Sequence, residues 1–384
     1  MGRQQVKVAV VVASRANYSR LKSVLQAIEQ HPRLQLQLIV AGSALLDRWG
    51  CVDLIEAEFE IQERLYCVVD GDRPQNMAAT TGVLMQYVSN TLARLRPNIV
   101  LVHADRYEML AVATAAAYMN IPVAHTEGGE DTGSIDDKVR YAISHLADLH
   151  FPVTEKARQK ILSLDIPDQA VTRVGSPSLD LLAGIDWSRK PDLMQKYGGV
   201  GPCLDLSQPY LVVLQHPVTT EYGATGSEIQ ATLDAVRDLR MQTVWFWPNV
   251  DAGQDAISEA LRRFREIENP DYVHFFKNLS PEDFGRLLKG CSCLLGNTSA
   301  GIKEGAFLGV PYVCIGTRQN GREHGKNTVF VDYDTQQILS AVRYQLGQIY
   351  EPDFTFGDGY ASERIAAHLE AYYESRRSNS CPCG

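Results

Sequence analysis

Residues 99–127 read IVLVHADRYEMLAVATAAAYMNIPVAHTE, and this stretch decides the fold class. Ile99–Val102 is a short apolar run, Tyr107–Tyr118 an alanine-rich helical segment, and Ile121–Ala124 a second apolar run with Val123–Ala124 as its strand core. Strand, helix and strand in that order make a β-α-β unit, whose strands run parallel and are covered on both faces. Asp105 and Glu127 follow these runs, where buried strands open into loops. In open α/β sheets ligands bind at those carboxyl ends. Carboxylates converging there are candidates for acid–base chemistry rather than for solubility.

The same alternation extends outward. Val6–Ala13 reads as a strand, Tyr18–Glu29 as a helix, Leu34–Val40 as a strand, and Thr80–Leu95 as a helix ended by Pro97. A Gly/Pro/Ser-containing break covers Val171–Pro191, as an interdomain crossing would. A second series follows: strand Tyr210–Leu214, helix Ser227–Leu239, strand Thr243–Trp247, helix Ser280–Leu288 opened by Ser-Pro-Glu-Asp, strand Cys293–Leu295, helix Ala300–Leu308 and strand Tyr312–Ile315. The expected architecture is α/β: two doubly wound Rossmann-like domains, residues 1–180 and 181–358, facing a cleft. A terminal segment, 359–384, carries a helix over Gly359–Ser375 that packs back on the first domain.

Bulk properties narrow the function. At 384 residues two domains are the default. A net charge of −9 without a basic patch argues against nucleic-acid binding. It does not forbid an anionic substrate, because local arginines, histidines and helix N-termini can oppose the net field. The opening MGRQQVKVAVVVASR is too short in apolar residues for a signal peptide and reads as a first buried strand. No run approaches the roughly 18 apolar residues of a membrane span, so a cytoplasmic protein without membrane partners is expected. The eight cysteines are scattered and form no disulfide framework. Cys381 and Cys383 in the closing CPCG cannot fill a tetrahedral metal site alone, and a disordered tail is expected there.

Four loops carry the chemistry. In ASRANYSR, Arg15 and Arg20 flank a helix start, where cations and backbone N–H groups hold phosphate; the bland alternative is a pair of solvated arginines. In the acidic stretch, Asp105 and Glu127 have no structural excuse, whereas Asp136, beside Asp137, can simply cap the helix that follows. Crowded carboxylates are expected to push one another's pKa up, so that one acts as acid and another as base. In LQHPVTTEYG, His216 at a strand end can neutralise phosphate or assist a leaving group, or merely tie its loop. In GNTSAGIKEG, the small residues Asn297, Thr298, Ser299, Ala300 and Gly301 join a strand to a helix and make an anion cradle, unless the glycines serve only packing. Glu304 lies one turn in, placed for ribose hydroxyls, and Arg318 and Arg322 add positive charge after the next strand. Neither a dinucleotide fingerprint nor a Walker loop is present. Two phosphate-type loops opposite a carboxylate cluster fit a nucleotide-sugar.

These residues resemble the hydrolysing UDP-N-acetylglucosamine 2-epimerases of sialic-acid-type pathways, from Val6 to about Tyr350, through SRANY, ADRYEML, NIPVAHTEGGE, SIDDKVRYAI, VGSPSLDLL, LQHPVTTEYG and GNTSAGIKEGAFLGVPYVCIGTRQNGREHGKN. The resemblance implies a glycosyltransferase-B-like fold and anti elimination of UDP to a 2-acetamidoglucal. Hydration then gives N-acetylmannosamine, with no cofactor or metal, in a homodimer or homotetramer. It places Asp105, Glu127 and Asp137 as catalytic carboxylates, Arg15 and His216 in the active site, and Ser299 with its neighbours at the diphosphate. It also places Glu304 on ribose, Arg322 near the phosphates, and Phe276 and Asn278 near the base. Asp105 is expected as the base, with Glu127 and Asp137 handling protonation and water. Departures are Ala104 where glycine is common, Tyr141 where histidine is common, and Thr126 where an apolar residue is frequent. Other readings are the same chemistry on a UDP-linked diacetamido-trideoxy or GDP-linked sugar, a nonhydrolysing epimerase, a nucleotide-sugar-binding protein without catalysis, or a glycosyltransferase.

Overall fold

The computed structural model describes residues 5–47, 50–71, 73–131, 135–189, 191–218, 225–248 and 253–380. The tail with Cys381 and Cys383, and residues 219–224 of the His216 loop, lie outside them. The first sheet contains β1 (Val6–Val12), β2 (Leu34–Ala41), β3 (Ile61–Leu65), β4 (Ile99–His103), β5 (Val123–Thr126) and β6 (Leu149–Phe151) in the order β3-β2-β1-β4-β5-β6. The second contains β7 (Tyr210–Leu214), β8 (Gln242–Phe246), β9 (Val273–Phe276), β10 (Cys293–Gly296), β11 (Tyr312–Ile315) and β12 (Thr328–Val331) in the order β12-β11-β10-β7-β8-β9. Every pairing in both sheets is parallel. Each order is that of a dinucleotide-binding doubly wound sheet, with its switch point between β1 and β4 or between β7 and β10.

Alternate residues of one strand feed opposite faces. Val8, Val10 and Val12 join a core with Leu21, Leu25 and Ile28, whereas Ala9 and Val11 join one with Leu84, Val88 and Met109. In the second sheet Tyr210 and Val212 face one core, Leu211 and Val213 the other. Burial on both faces explains why these strands read as continuous apolar runs.

The terminal helix Ala361–Ser380 crosses back to the first sheet, where Ala361, Ile365, Ala366 and Leu369 pack with Leu21 and Leu25. Each fully buried Ile or Leu there stabilises by roughly 1.5–3 kcal/mol. Asp180 fixes the start of this helix, accepting from the Ala361 N–H at 3.0 Å and the Ser362 N–H at 2.6 Å.

Three expectations shift. The helix expected from Thr80 begins at Pro74, because Pro74 has no N–H to satisfy and Arg73 with Asn76 caps the turn. The single helix expected over Ala300–Leu308 is two, Ser299–Ile302 and Glu304–Leu308, broken at Lys303. The strands β3, β6, β9 and β12 are additions; β3 and β12 are partly exposed sheet edges, which dilutes their apolar signal.

Candidate active site

The carboxyl ends of the two sheets face one another across a cleft of about 240 Å³. The first domain lines it with Arg15, Arg20, His103, Asp105, Glu127 and Arg140. The second supplies His216, Phe246, Asn278, Thr298, Ser299, Ala300, Glu304, Arg318 and Arg322.

Backbone geometry aims the two strand-end carboxylates. Ala104 has φ +59° and Glu127 φ +59°, both in the left-handed region. An L-residue there costs roughly 1–2 kcal/mol, and such positions persist where the surrounding structure over-determines them. The torsion at Ala104 accounts for the glycine common there in the family resembled. His125 holds the turn through Nε2 to the Ala104 carbonyl at 2.8 Å.

Asp105 is not alone. Arg140, fully buried, reaches Asp105 and the Glu130 carbonyl and donates to Asp137 Oδ1 at 2.7 Å. Asp137 therefore shares one guanidinium with Asp105, whereas Asp136, for which helix capping is the alternative reading, borders the cleft.

Glu127 lies in a cage of donors. Arg20 donates to Oε2 at 2.8 Å, Lys303 to Oε2 at 2.8 Å, and Ser176 to Oε1 at 2.6 Å. His103 Nε2 stands 3.7 Å from Oε2. Burial alone would push this carboxyl up; Lys303 first, then Arg20 and His103, hold it instead well below the usual carboxylate range. The expectation that crowding raises carboxylate pKa values is thus corrected at Glu127, because cations are interleaved with the acids. His103 goes the other way: burial pushes it down to about 4, so it is neutral at pH 7.

The second-domain loops divide into cleft walls and supports. Asn297 is fully buried and clasps His216 by two 2.8 Å bonds, Nδ2 to its carbonyl and Oδ1 from its N–H. Asn297 therefore positions His216 rather than facing a ligand. Its own carbonyl accepts from Arg318 at 3.2 Å and Gln319 at 2.9 Å. Thr298 caps the following short helix, accepting from the Ala300 N–H at 3.2 Å. Ser299 accepts from Arg20 across the cleft. At Gly301 a Cβ would lie 2.4 Å from the Tyr312 ring, so this glycine serves packing. Glu304 is 9% exposed, and its Oε2 has no hydrogen-bond partner among the described residues. Phe276 is not brought to the cleft: its ring is buried against Phe246 at 6.1 Å and His274 at 4.6 Å. Phe246, Asn278 and Leu279 form that wall instead. Arg15 crosses to the Lys277 carbonyl.

Sequence reasoning missed Lys303, Ser176, Glu130 and Arg140 as site residues. Ser176 and Arg140 lie in recognised runs, and Glu130 in the acidic stretch. Lys303 lies in the quoted GNTSAGIKEG run as well, but a lysine in a helical segment ordinarily reads as a solvated face.

Two parallel six-stranded sheets meeting at their carboxyl ends define a glycosyltransferase-B-like fold. The family model for UDP-N-acetylglucosamine 2-epimerase matches residues 26–370. The chain is 30% identical over 365 residues to the UDP-N-acetylglucosamine 2-epimerase of Neisseria meningitidis serogroup B, covering 94% of each chain. It is 31% identical over 379 residues to the hydrolysing UDP-N,N'-diacetylbacillosamine 2-epimerase of Legionella pneumophila, covering 98% of each. The crystal structure of Methanocaldococcus jannaschii UDP-GlcNAc 2-epimerase with UDP-GlcNAc and UDP shares the fold at a TM-score of 0.80 and 16% identity, over 95% of this chain and 100% of that one. The chain belongs to the UDP-N-acetylglucosamine 2-epimerase family. Among the described residues, no helix is long and apolar enough to cross a membrane.

Proposed function

We propose that the protein is a hydrolysing 2-epimerase that converts UDP-N-acetylglucosamine and water to N-acetylmannosamine and UDP. The observation that carries this reading is the opposition of Asp105 and Glu127, with Asp137 joined to Asp105 through Arg140, to Ser299, His216 and Arg318 on the other wall. The C2 proton is weakly acidic, so a placed carboxylate must take it as the C1–O bond breaks. Asp105, oriented by Arg140, takes that proton. The bond electrons leave with the diphosphate, whose charge is met by His216, Arg318 and the N–H groups behind Thr298. The product of this step is a C1–C2 alkene. Water then adds its oxygen to C1, Asp137, protonated from solvent, gives C2 a proton on the face opposite the one that lost it, and the sugar is released with inverted C2. Glu127, kept anionic by its cage, receives the proton of the incoming water. Asp137, held beside Asp105 on Arg140, is the second proton-handling group at the sugar. Glu304, with an unpartnered buried oxygen, accepts from the ribose hydroxyls.

The match to the Legionella pneumophila enzyme supports a second reading, the same reaction on a UDP-linked diacetamido-trideoxy sugar. Incubation with each UDP- and GDP-sugar separately, followed by chromatography of nucleotide and sugar, tests both. The first reading expects UDP and N-acetylmannosamine in equal amounts from UDP-N-acetylglucosamine. Accumulation of UDP-N-acetylmannosamine without free UDP would overturn hydrolysis, and release only from the diacetamido sugar would select the second reading.

A further inference from the structure

Lys303 has no exposed surface, and it sits where the sequence pattern places an ordinary helix residue. Its backbone N–H bonds the Ser299 carbonyl at 3.0 Å, so it is one turn behind the cradle for the diphosphate. Its ammonium crosses to the other domain and meets two carboxylates there, Glu127 at 2.8 Å and Glu130 at 2.7 Å. A lysine buried this deeply is stable only with such partners. The break in the helix at Lys303 places a cation behind the phosphate loop with its tip on the sugar-side acid.

We infer that Lys303 is a positioning residue for the epimerisation: it fixes Glu127 as an oriented anion and joins that anion to the loop on which the leaving diphosphate rests. The inference builds on the function proposed above. Two cations and a histidine reach Glu127 from the elements packed against it: Arg20 from the helix Arg15–Gln30, Lys303 from the second domain, and His103, neutral at pH 7, from the end of β4. Glu130 competes for Lys303 and is also paired with Arg322 at 2.7 Å, which sets how much of the ammonium's charge Glu127 receives. Arg20 links the same two walls, bonding Glu127 and Ser299 together. Charge developing on the diphosphate is therefore felt at the acid through two bridges.

The test compares Lys303→Met, Lys303→Arg and Lys303→Met/Glu130→Gln with the wild type; the double variant retains a folded protein should Lys303→Met alone leave too much buried negative charge. Nucleotide release is measured against pH, UDP affinity by calorimetry, and the thermal midpoint from pH 7 to pH 4. The expected result is a fall of at least tenfold in kcat for both methionine variants, with the acid limb of the kcat profile moved to higher pH. Lys303→Arg should restore the limb, and UDP affinity should change by less than threefold. A methionine profile whose acid limb coincides with that of the wild type, or an arginine variant that behaves as the methionine one, would overturn the inference. The midpoint arm needs no substrate. Glu127 stabilises the fold above the ordinary carboxylate pKa and loses that contribution as pH falls below it. The gap between wild type and methionine variants should therefore narrow on acidification, and a gap independent of pH also overturns the inference. Absence of nucleotide release by the wild type would instead sink the proposed reaction, leaving the midpoint arm to decide on Lys303.

Discussion

Replacing Asn297 with alanine removes a clasp rather than a ligand contact. Two bonds of 2.8 Å disappear, and they are the ones that satisfy the N–H and carbonyl of His216, a residue 6% exposed. A buried backbone group left without a partner costs ~1–3 kcal/mol, so the pair costs ~2–6 kcal/mol. Even the lower bound lowers the thermal midpoint of a domain of this size by about 4–8 °C. His216 loses its fixed backbone at the same time, so kcat/KM should fall by about tenfold or more, equivalent to ~1.4 kcal/mol of lost transition-state stabilisation. Calorimetric unfolding and initial-rate kinetics on the same preparation read both effects. Asn297→Asp is the informative control: it can still accept from the His216 N–H, but places a carboxylate oxygen against the His216 carbonyl and should be no more stable than the alanine variant. A shift below about 1 °C in Asn297→Ala, or an aspartate variant as stable as wild type, would refute the clasp.

Glu304→Ala removes a buried carboxylate oxygen that has no partner among the described residues; UDP affinity should drop by about tenfold or more with no loss in thermal midpoint, read by calorimetry. Arg140→Met strips the cation shared by Asp105 and Asp137, and breaking a buried pair costs ~3–5 kcal/mol; both carboxylates retain 19% side-chain exposure, so the lower end is expected, together with loss of turnover. Acid titration tests the histidines. Burial pushes His103, His125 and His150 each down to about 4. The unfolded chain takes up those protons near pH 6.5 and the folded one does not, so stability should fall between about pH 6.5 and 4, by up to ~4 kcal/mol per pH unit for the three together. Glu127 adds its own loss as pH falls below the ordinary carboxylate pKa, at the acid end of that window and beyond it. A denaturation midpoint flat from pH 6.5 to 5 would contradict this, and His150→Gln should lessen the slope by about a third.

Both sheet centres were legible because their strands are buried on two faces. Tyr210–Leu214, Tyr312–Ile315 and the helix Tyr107–Tyr118 fall at the expected residues. The edges were not legible: IQERL at β3 is half polar because a sheet edge has no second neighbour to exclude water. The early start at Pro74 was written in the sequence as a proline in a first turn, and it was the apolar periodicity from Thr80 that hid it. At the site, strand ends marked Asp105, Glu127, His216 and Ser299, and the structure brings them to one cleft. What pattern cannot carry is the charge state of an acid. Glu127 owes its ionisation to Lys303, 176 residues away in the chain, and to Arg20, 107 residues away. Phe276 shows the converse: its place in the chain matched the expected base site, but its ring faces the core, because alternation along β9 turns it away from the cleft.

The elimination–hydration account is tested most directly by running the reaction with UDP-N-acetylglucosamine in deuterium oxide and examining the released sugar by mass spectrometry and proton NMR. The account predicts N-acetylmannosamine carrying one deuterium at C2, formed in step with free UDP, and none formed by Asp105→Asn. N-acetylmannosamine that retains the original C2 hydrogen, or unchanged turnover in Asp105→Asn, would contradict it.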